Sequence, residues 1–195
     1  MELWHAWVCP YCMRVRIALA EKGIAYDERE IELARKPPEL FAVNPAGGVP
    51  VLVVEGGAAI PESIVILQYL EDRWPEHPIF PPDPLGRARA RLLHDRITAA
   101  LAPHLLALAR GTDAEKAAAE RAVKEALAKL EAEAPERGFL AGPFSVADIA
   151  LAPFVAKLPD RLRPAALALP RLARWQEAVL SRPSVAAHTA PRRAT

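Results

Sequence analysis

The sequence predicts two domains, an α/β domain with a mixed sheet followed by an all-helical domain. Residues 1–73 alternate between short apolar runs and amphipathic segments, an order typical of α/β domains. Residues 74–84 contain five prolines, through which no helix continues, and we interpret this segment as a linker. Residues 85–187 lack any strand-like run and predict the helical domain, and we expect the tail, 188–195, to be disordered.

The first domain is predicted to follow the order strand, helix, strand, helix, hairpin, helix. Apolar side chains at helical spacing begin at Pro10, and Gly23 is a usual helix terminator. Gly56 and Gly57 separate two apolar runs and indicate a hairpin. The segments, in chain order, are ELWHAWV, PYCMRVRIALAEKG, IAYDEREIEL, PPELFAVNP, VPVLVVEGGAAIP and ESIVILQYLEDRW.

The second domain is predicted from its helix caps and breaks. Residues 111–113, Gly-Thr-Asp, separate two long helices, the second of them capped by the threonine or the aspartate. Ser145 and Asp148 have the spacing of a capping box and begin a core helix. The last predicted helix opens at Pro170 and ends before Pro183.

Charge and hydropathy exclude several classes of partner. The net charge is +1 and the charges are evenly spread, so we expect neither nucleic acid nor an anionic membrane as a partner. No apolar run approaches the ~20 residues of a membrane span, and the N-terminus does not have the pattern of a secretory signal. We expect a cytoplasmic protein, in which thiols remain reduced.

The only two cysteines, Cys9 and Cys12, form a single Cys-x-x-Cys motif. A structural zinc ion needs four ligands, and one cysteine pair with scattered histidines predicts no metal site. A disulfide across so short a loop would restrain little chain entropy. The remaining interpretation is a reactive thiol at the start of a helix.

Local physics favours Cys9 as the nucleophile. Pro10 suits the first position of a helix, which puts Cys9 at the N-cap, facing unpaired amide protons and the positive end of the helix dipole. Such a position lowers a thiol pKa. Arg14 and Arg16 could add positive potential, although solvated helix charges are an equally good interpretation. Cys12 lies one turn further on, is expected to be more buried, and is at most a resolving thiol.

The chain resembles the glutathione transferase superfamily. The Cys-Pro-Tyr-Cys motif after a strand, GGVPVL at 47–52 and PES at 61–63 resemble its thioredoxin-like, glutathione-binding domain. FSVADIALAPF at 144–154 and LARWQEAVLSRPSV at 172–185 resemble its helical C-terminal domain. The cysteine motif is most similar to the omega class and to two-domain glutaredoxins. The resemblance implies a mixed four-stranded sheet followed by the all-α domain.

The resemblance also implies how glutathione is held. Val49-Pro50 matches a cis peptide bond that turns the Val49 backbone toward the cysteinyl part of glutathione. Ser63 and the amides at a helix start suit the γ-glutamyl carboxylate, and Glu62 suits its ammonium group.

Three aromatic residues are expected to line the second-substrate pocket. Trp175 matches an aromatic position of the pocket wall in omega-like members, and Trp7 and Tyr11 flank Cys9 in sequence. For each tryptophan, core packing is the alternative. Ala42 and Val43 depart from the pattern, because some omega-like members have a basic residue there that contacts glutathione.

The predicted function is that of a glutathione-dependent thiol enzyme. The Cys9 thiolate forms a mixed disulfide with glutathione, as in thioltransferases, dehydroascorbate reductases and deglutathionylating enzymes. One alternative is an isomerase resembling the zeta-class maleylacetoacetate isomerases, although their serine-rich motif before the cysteine is missing.

Two further alternatives do not use this chemistry. The first is an adaptor resembling stringent starvation protein A, which binds RNA polymerase and lacks the catalytic cysteine. The second is a glutathione-ligated iron–sulfur cluster bridging two Cys9 residues. The resemblance further implies a homodimer with two-fold symmetry.

Overall fold

The protein is described here by a computed structural model covering residues 1–190. The chain divides into two compact units, residues 1–79 together with Ala190, and residues 80–189. Within residues 1–190, no helix is both long and apolar enough to cross a membrane.

The first unit is built on a four-stranded mixed sheet with the strand order β2-β1-β3-β4. Strand β1 pairs parallel with β2 and antiparallel with β3, which pairs antiparallel with β4. Leu3 at the centre of β1 is fully buried and stands opposite Leu52 of β3. The strands are β1 (Glu2–His5), β2 (Asp27–Glu30), β3 (Val51–Val53) and β4 (Ala59–Pro61). The predicted α/β class and mixed sheet are confirmed.

Three helices complete this unit, namely α1 (Pro10–Lys22), α2 (Pro38–Val43) and α3 (Ser63–Arg73). Helix α1 begins and ends where the sequence predicts, because Gly23 adopts the left-handed conformation (φ 65°) that glycine tolerates best. The hairpin turn between β3 and β4 is a short 3₁₀ segment, Glu55–Gly57.

A buried ion pair joins the last turns of α1 and α3. Lys22 Nζ lies 2.8 Å from Glu71 Oε2, and both side chains are buried. Lys22 also donates to the Trp74 carbonyl at 2.7 Å, and Glu71 accepts from the Ile79 amide at 3.0 Å. The pair therefore ties the proline-rich segment after α3 to the first unit. Neither residue was singled out in the sequence.

The regular structure of the second unit, within its described residues, consists of helices joined by loops. Its helices are α4 (Pro84–Arg110), α5 (Asp113–Glu133), α6 (Val146–Lys157), α7 (Pro170–Leu180) and α8 (Pro183–Thr189). Helix α8 was not predicted, since Pro183 was interpreted as the end of helical structure; proline instead occupies the first position of a new helix. The predicted disordered tail therefore begins too early, because His188 and Thr189 belong to α8; residues 191–195 lie outside the described residues.

Helix α6 is the core of the second unit, and every residue from Val146 to Val155 is buried. The predicted capping box is present, with Ser145 as N-cap and Asp148 accepting from its backbone amide at 2.9 Å. The break before α5 is also as predicted, with Thr112 as the N-cap of a second capping box.

Candidate active site around Cys9

Cys9 lies where the chain turns from β1 into α1. Its amide donates to the Ala6 carbonyl at 3.1 Å, and its own carbonyl accepts from Met13 at 3.0 Å, the first hydrogen bond of the helix. Its extended backbone (φ −76°, ψ 121°) is that of an N-cap residue followed by proline. The predicted N-cap position is confirmed, and the thiol faces the amino end of α1.

The surroundings of Cys9 favour its thiolate. A hydrogen bond donated by the Cys12 thiol lowers the pKa of Cys9 from the ordinary value of 9.0 to about 7. The backbone amides of Cys12 and Tyr11 and the charge of Arg16 also lower the pKa, while burial opposes them. The lowered pKa increases the thiolate fraction of Cys9 at neutral pH above that of an ordinary cysteine.

Cys12 is fully buried, whereas Cys9 retains 8% of its surface. Burial and the proximity of Cys9 raise the pKa of Cys12 well above 9.0, so that it stays a thiol. Its sulfur accepts a hydrogen bond from the Ala6 amide at 3.5 Å. Cys12 is therefore placed to donate a hydrogen bond to the Cys9 sulfur. The expectation that Cys12 is the more buried cysteine is confirmed.

Arg16 is a site residue that the sequence interpretation left open. Arg14 and Arg16 are both fully buried, so the interpretation as solvated helix charges is wrong for both. The Arg16 guanidinium donates to the Trp7 carbonyl at 3.0 Å and lies 4.3 Å from the centre of the Trp7 ring. It also lies 2.9 Å from His5 Nδ1, which must accept, because a guanidinium can only donate. Arg16 thereby holds the loop that carries Cys9.

The Val49–Pro50 peptide bond is cis, as predicted. The Val49 carbonyl lies 3.8 Å from Cys9 Sγ, which donates to it when protonated. Val49 and Tyr11 pack against a buried cluster of Ala6 and the two cysteines. Four of the predicted site residues are thus brought together.

Asn44 shapes the loop before the cis bond and was not assigned a role from the sequence. Its side chain donates to the Gly48 carbonyl at 2.9 Å and accepts from the Ala46 amide at 3.2 Å. Gly47 is required within this loop, since its φ is +63° and a Cβ there would lie 2.5 Å from the Phe41 ring. The run Asn-Pro-Ala-Gly-Gly, residues 44–48, is a turn signal that could have located this loop from the sequence.

Glu62 and Ser63 stand at the N-terminus of α3. Glu62 is exposed and adopts φ 68°, ψ 116°, a conformation rare outside glycine. Ser63 is 6% exposed, and its hydroxyl makes no hydrogen bond to any of residues 1–190. Glu62 and Ser63 thus place two adjacent polar side chains at the start of α3, where the backbone of Glu62 is strained.

Trp7 lines a cavity of about 440 Å³ within the first unit, together with Val8, Ile31 and Leu33. Two carboxylates, Glu30 and Glu32, complete its wall. Tyr11 is half-buried; burial raises its pKa, and Arg14 lies 5.1 Å from its ring centre.

Trp175, predicted to line the same substrate pocket, is embedded in the second unit. It is 2% exposed, and its indole N–H donates to Asp148 Oδ1 at 2.8 Å. Asp148 also accepts from the Leu140 amide at 2.9 Å. The surroundings of Trp175 therefore match the alternative interpretation, core packing. Its indole N–H also makes a hydrogen bond to the capping box of α6.

The described residues contain no cluster of three or more His, Cys, Asp or Glu side chains that could hold a metal ion. At the position of the expected basic contact, Ala42 is exposed and Val43 packs on an apolar cluster around Trp4.

Comparison with protein-family models assigns both halves of the chain. Residues 8–73 match the N-terminal domain of glutathione S-transferases, and residues 113–178 match the C-terminal domain. A probable glutathione S-transferase, GSTU1, of Oryza sativa subsp. japonica is 35% identical over 90% of this chain and 83% of its own length. The chain belongs to the glutathione S-transferase family. The predicted superfamily and its thioredoxin-like and helical domains are therefore confirmed.

Some proteins similar to this chain are not named glutathione transferases. A stringent starvation protein A homolog of Pasteurella multocida is 35% identical over 77% of this chain and 71% of its own length. Relatives with both names thus match the chain at comparable identity, and membership of the family alone does not determine the activity.

Solved structures of the family superpose closely on the chain. The rice GST1 structure, in complex with glutathione, has a TM-score of 0.86 at 35% identity, covering 96% of this chain and 90% of its own. Glutathione transferase Omega 2C from Trametes versicolor has a TM-score of 0.79 at 27% identity, covering 96% and 92%. A mango structure described as tau class is also similar, with a TM-score of 0.82 at 28% identity over 97% and 92%.

Proposed function

We propose that the protein is a cysteine-type glutathione transferase of omega-like activity, in which Cys9 exchanges glutathione with a disulfide substrate. The observation that carries this proposal is the Cys9 thiol at the N-cap of α1, with its pKa lowered to about 7. A serine or tyrosine hydroxyl at this position could not form the covalent intermediate. Cysteine thiolate is both the nucleophile and the leaving group that disulfide exchange requires.

The proposed reaction consists of two exchanges. The Cys9 thiolate attacks the glutathionyl sulfur of a mixed disulfide, forms a Cys9–glutathione disulfide, and releases the substrate thiolate, which takes up a proton. The thiolate of a second glutathione then attacks the glutathionyl sulfur, giving glutathione disulfide and regenerating the Cys9 thiolate. One free glutathione is consumed for each mixed disulfide: the substrate leaves as its thiol, and the glutathionyl group that it carried leaves with the second glutathione as glutathione disulfide.

Glutathione binding by this chain is supported by three groups of the first unit. The Val49 N–H donates to no described residue, and together with its carbonyl it offers a strand-like edge to the cysteinyl part of glutathione. The Ser63 hydroxyl suits the γ-glutamyl carboxylate, and the exposed Glu62 carboxylate suits the ammonium group. The cavity beside Trp7 is proposed to receive the second substrate, with Tyr11 at the thiol. Trp175 contributes to substrate binding only through the fold of the second unit.

The test is glutathione-dependent reduction of hydroxyethyl disulfide by the wild type, Cys9→Ser and Cys12→Ser. We expect the Cys9→Ser variant to be inactive and the Cys12→Ser variant to retain activity, because a serine hydroxyl still donates to the Cys9 thiolate. Loss in both variants would indicate a dithiol mechanism with Cys12 as resolving thiol. A wild type without activity contradicts the proposal and favours isomerisation, which is then assayed with maleylacetone.

A second candidate is a binding protein without thiol chemistry, favoured by the stringent starvation protein A homologues. Immobilised glutathione discriminates the two functions. A glutathione enzyme is retained and elutes with free glutathione, and Glu62→Gln and Ser63→Ala each weaken its retention. A protein of the second kind flows through.

We further propose a homodimer in which α4 contributes to the interface. Leu85, Leu92 and Leu106 are 58–68% exposed and lie on one face of α4 because seven or fourteen residues separate them. Exposed leucines repeated along one helix face favour burial against another chain. A second copy is the partner that the family membership supports.

A further inference from the structure

A chain of polar side chains leads to the loop that carries Cys9, and the proposed thiol chemistry assigns it no role. It begins before β2 with Tyr26, whose hydroxyl donates to Glu28 Oε1 at 3.3 Å. The other oxygen, Glu28 Oε2, lies 3.9 Å from His5 Nε2. His5 Nδ1 in turn lies 2.9 Å from the Arg16 guanidinium. The chain thus runs from an exposed carboxylate of β2, through β1, to α1.

The geometry fixes where the proton of the His5 ring lies. The Arg16 guanidinium can only donate, so His5 Nδ1 must accept and carries no proton. The proton of the ring is therefore on Nε2, which faces the Glu28 carboxylate. Burial raises the pKa of Tyr26 to about 12, so its hydroxyl keeps the proton that it donates to Glu28. His5 is thus a neutral, fully buried imidazole in the Nε2–H tautomer.

Arg16 connects this ring to the thiol in two ways. Its guanidinium donates to the Trp7 carbonyl at 3.0 Å and to the Ala6 carbonyl at 3.5 Å, just before Cys9 in the chain. Its positive charge also contributes to the lowered pKa of Cys9. Both effects depend on where the buried guanidinium is held. His5 supplies a side-chain acceptor for it, at the shortest of these three distances.

We propose that His5 is a positioning residue for Cys9: its neutral ring holds the Arg16 guanidinium against the Trp7 carbonyl and thereby keeps a positive charge near the thiolate. The inference rests on the proposed function, since it treats Cys9 as the nucleophile. Without an acceptor at position 5, the guanidinium loses this contact and its charge can move away from the thiolate. Fewer Cys9 side chains are then ionised at neutral pH.

The first test observes His5 directly in the wild type. Long-range proton–nitrogen correlation spectra of the nitrogen-labelled protein at neutral pH distinguish the two neutral tautomers from each other and from the doubly protonated ring. We expect the Nε2–H tautomer. A proton on His5 Nδ1 would overturn the proposal, because that nitrogen could not accept from Arg16. This measurement needs no variant, so it does not depend on how a substitution at a buried position folds.

The second test is a double-mutant cycle, followed through the pH dependence of iodoacetamide alkylation at Cys9. The variants are His5→Asn, His5→Leu, Arg16→Met and the double variant His5→Leu/Arg16→Met. Asparagine and leucine have nearly the same size, but only asparagine carries an oxygen that can accept close to the position of Nδ1. His77→Asn is the control for loss of a histidine, since His77 is exposed and asparagine tolerates its positive φ.

We expect His5→Leu to lower the alkylation rate at neutral pH about threefold by moving the midpoint of the profile upward. His5→Asn and His77→Asn should keep the wild-type profile. In the Arg16→Met background His5→Leu should have no further effect, because the charge that it positions is absent. A purely structural role would lower the free energy of unfolding without moving the midpoint. An unchanged midpoint in folded His5→Leu, or an equal shift in the Arg16→Met background, would contradict the proposal.

Alkylation needs neither glutathione nor a disulfide, which separates this inference from the proposed function. A wild type without hydroxyethyl disulfide reduction contradicts the proposed function, whereas the tautomer and the alkylation profiles still decide the role of His5. Where the wild type is active, kcat/KM for the disulfide should also fall in His5→Leu and be retained in His5→Asn. A kcat/KM that is unchanged in His5→Leu would mean that the ring does not act on the exchange at Cys9.

Discussion

At the scale of single residues, the two cysteines have opposite environments although they are three positions apart. Cys9 lies at a helix N-cap and accepts hydrogen bonds, which lowers its pKa, while burial raises the pKa of Cys12. The proton held on Cys12 is therefore what stabilises the charge on Cys9. The sequence motif identifies both thiols, but this division of roles follows from the depth to which the first turn of α1 is buried.

Replacing Cys12 with alanine should raise the Cys9 pKa toward 9.0, because the largest contribution to the shift is the hydrogen bond from the Cys12 thiol. The thiolate fraction at neutral pH then falls, by about fiftyfold if the pKa returns fully to 9.0. The rate of iodoacetamide alkylation as a function of pH measures this change. Cys12→Ser is the matched control, since its hydroxyl still donates. An unchanged alkylation profile in Cys12→Ala would show that the hydrogen bond is not the cause.

The Cys9 pKa also predicts how stability depends on pH. The folded value of about 7 lies below the ordinary value of 9.0, so the folded protein binds fewer protons between them. The contribution of Cys9 is present above pH 9.0 and is lost as the pH falls through 7. Relative to Cys9→Ser, the wild type should gain about 2 kcal/mol in its free energy of unfolding over this interval.

Urea unfolding under reducing conditions at several pH values up to 9.0 measures this difference. Cys12 is present in both proteins. Its raised pKa in the folded state lowers the free energy of unfolding as the pH rises, but only at pH values where the Cys12 thiol of the unfolded chain ionises. A difference between wild type and Cys9→Ser that is independent of pH would contradict a lowered Cys9 pKa.

At the scale of elements, two capping boxes with the same local chemistry lie in different surroundings. The box of α5, Thr112 with Glu115, is exposed, and the box of α6, Ser145 with Asp148, is buried. Asp148 accepts hydrogen bonds from Ser145, Leu140 and Trp175, and so joins α6, the preceding loop and α7. The sequence pattern predicts both caps, whereas the link to α7 depends on tertiary packing.

Asp148→Asn should therefore cost about 2 to 4 kcal/mol of unfolding free energy, because an amide nitrogen faces N–H donors in the buried site. Glu115→Gln is the matched control at the exposed box and should cost measurably less. Urea denaturation of both variants gives the comparison. Equal losses would mean that Asp148 stabilises only its own helix.

At the scale of the whole molecule, the exposed leucines of α4 predict a dimer. Leu92→Glu places a charge at the centre of the proposed interface and should convert the dimer to a monomer, which light scattering after gel filtration measures. Leu180→Glu on α7, where the leucine is 40% exposed, is the control and should remain dimeric. A monomeric wild type, or a Leu92→Glu variant that stays dimeric, excludes this interface.

The cis bond at Val49 was implied by the resemblance to glutathione transferases. The residues by themselves determined the order of the strands and of helices α1 to α7, the N-cap position of Cys9 and the capping box of α6. Each depends on residues that are neighbours in the chain, through proline and glycine stereochemistry, helix caps and apolar periodicity. The resemblance to glutathione transferases was carried by the same local motifs in their order.

Only the tertiary structure decided which charged groups are buried and what they contact. Arg16 stacks on Trp7, Lys22 pairs with Glu71 across two helices, and Trp175 donates to Asp148. These partners are nine to 49 residues apart in the chain, and nothing in the local sequence of α1 reveals that its arginines are buried. Burial strengthens such charge contacts and shifts pKa values, and it depends on how separate elements pack. A local pattern cannot contain that information, and for this reason the N-cap position of Cys9 was predictable from the sequence but the contacts that support it were not.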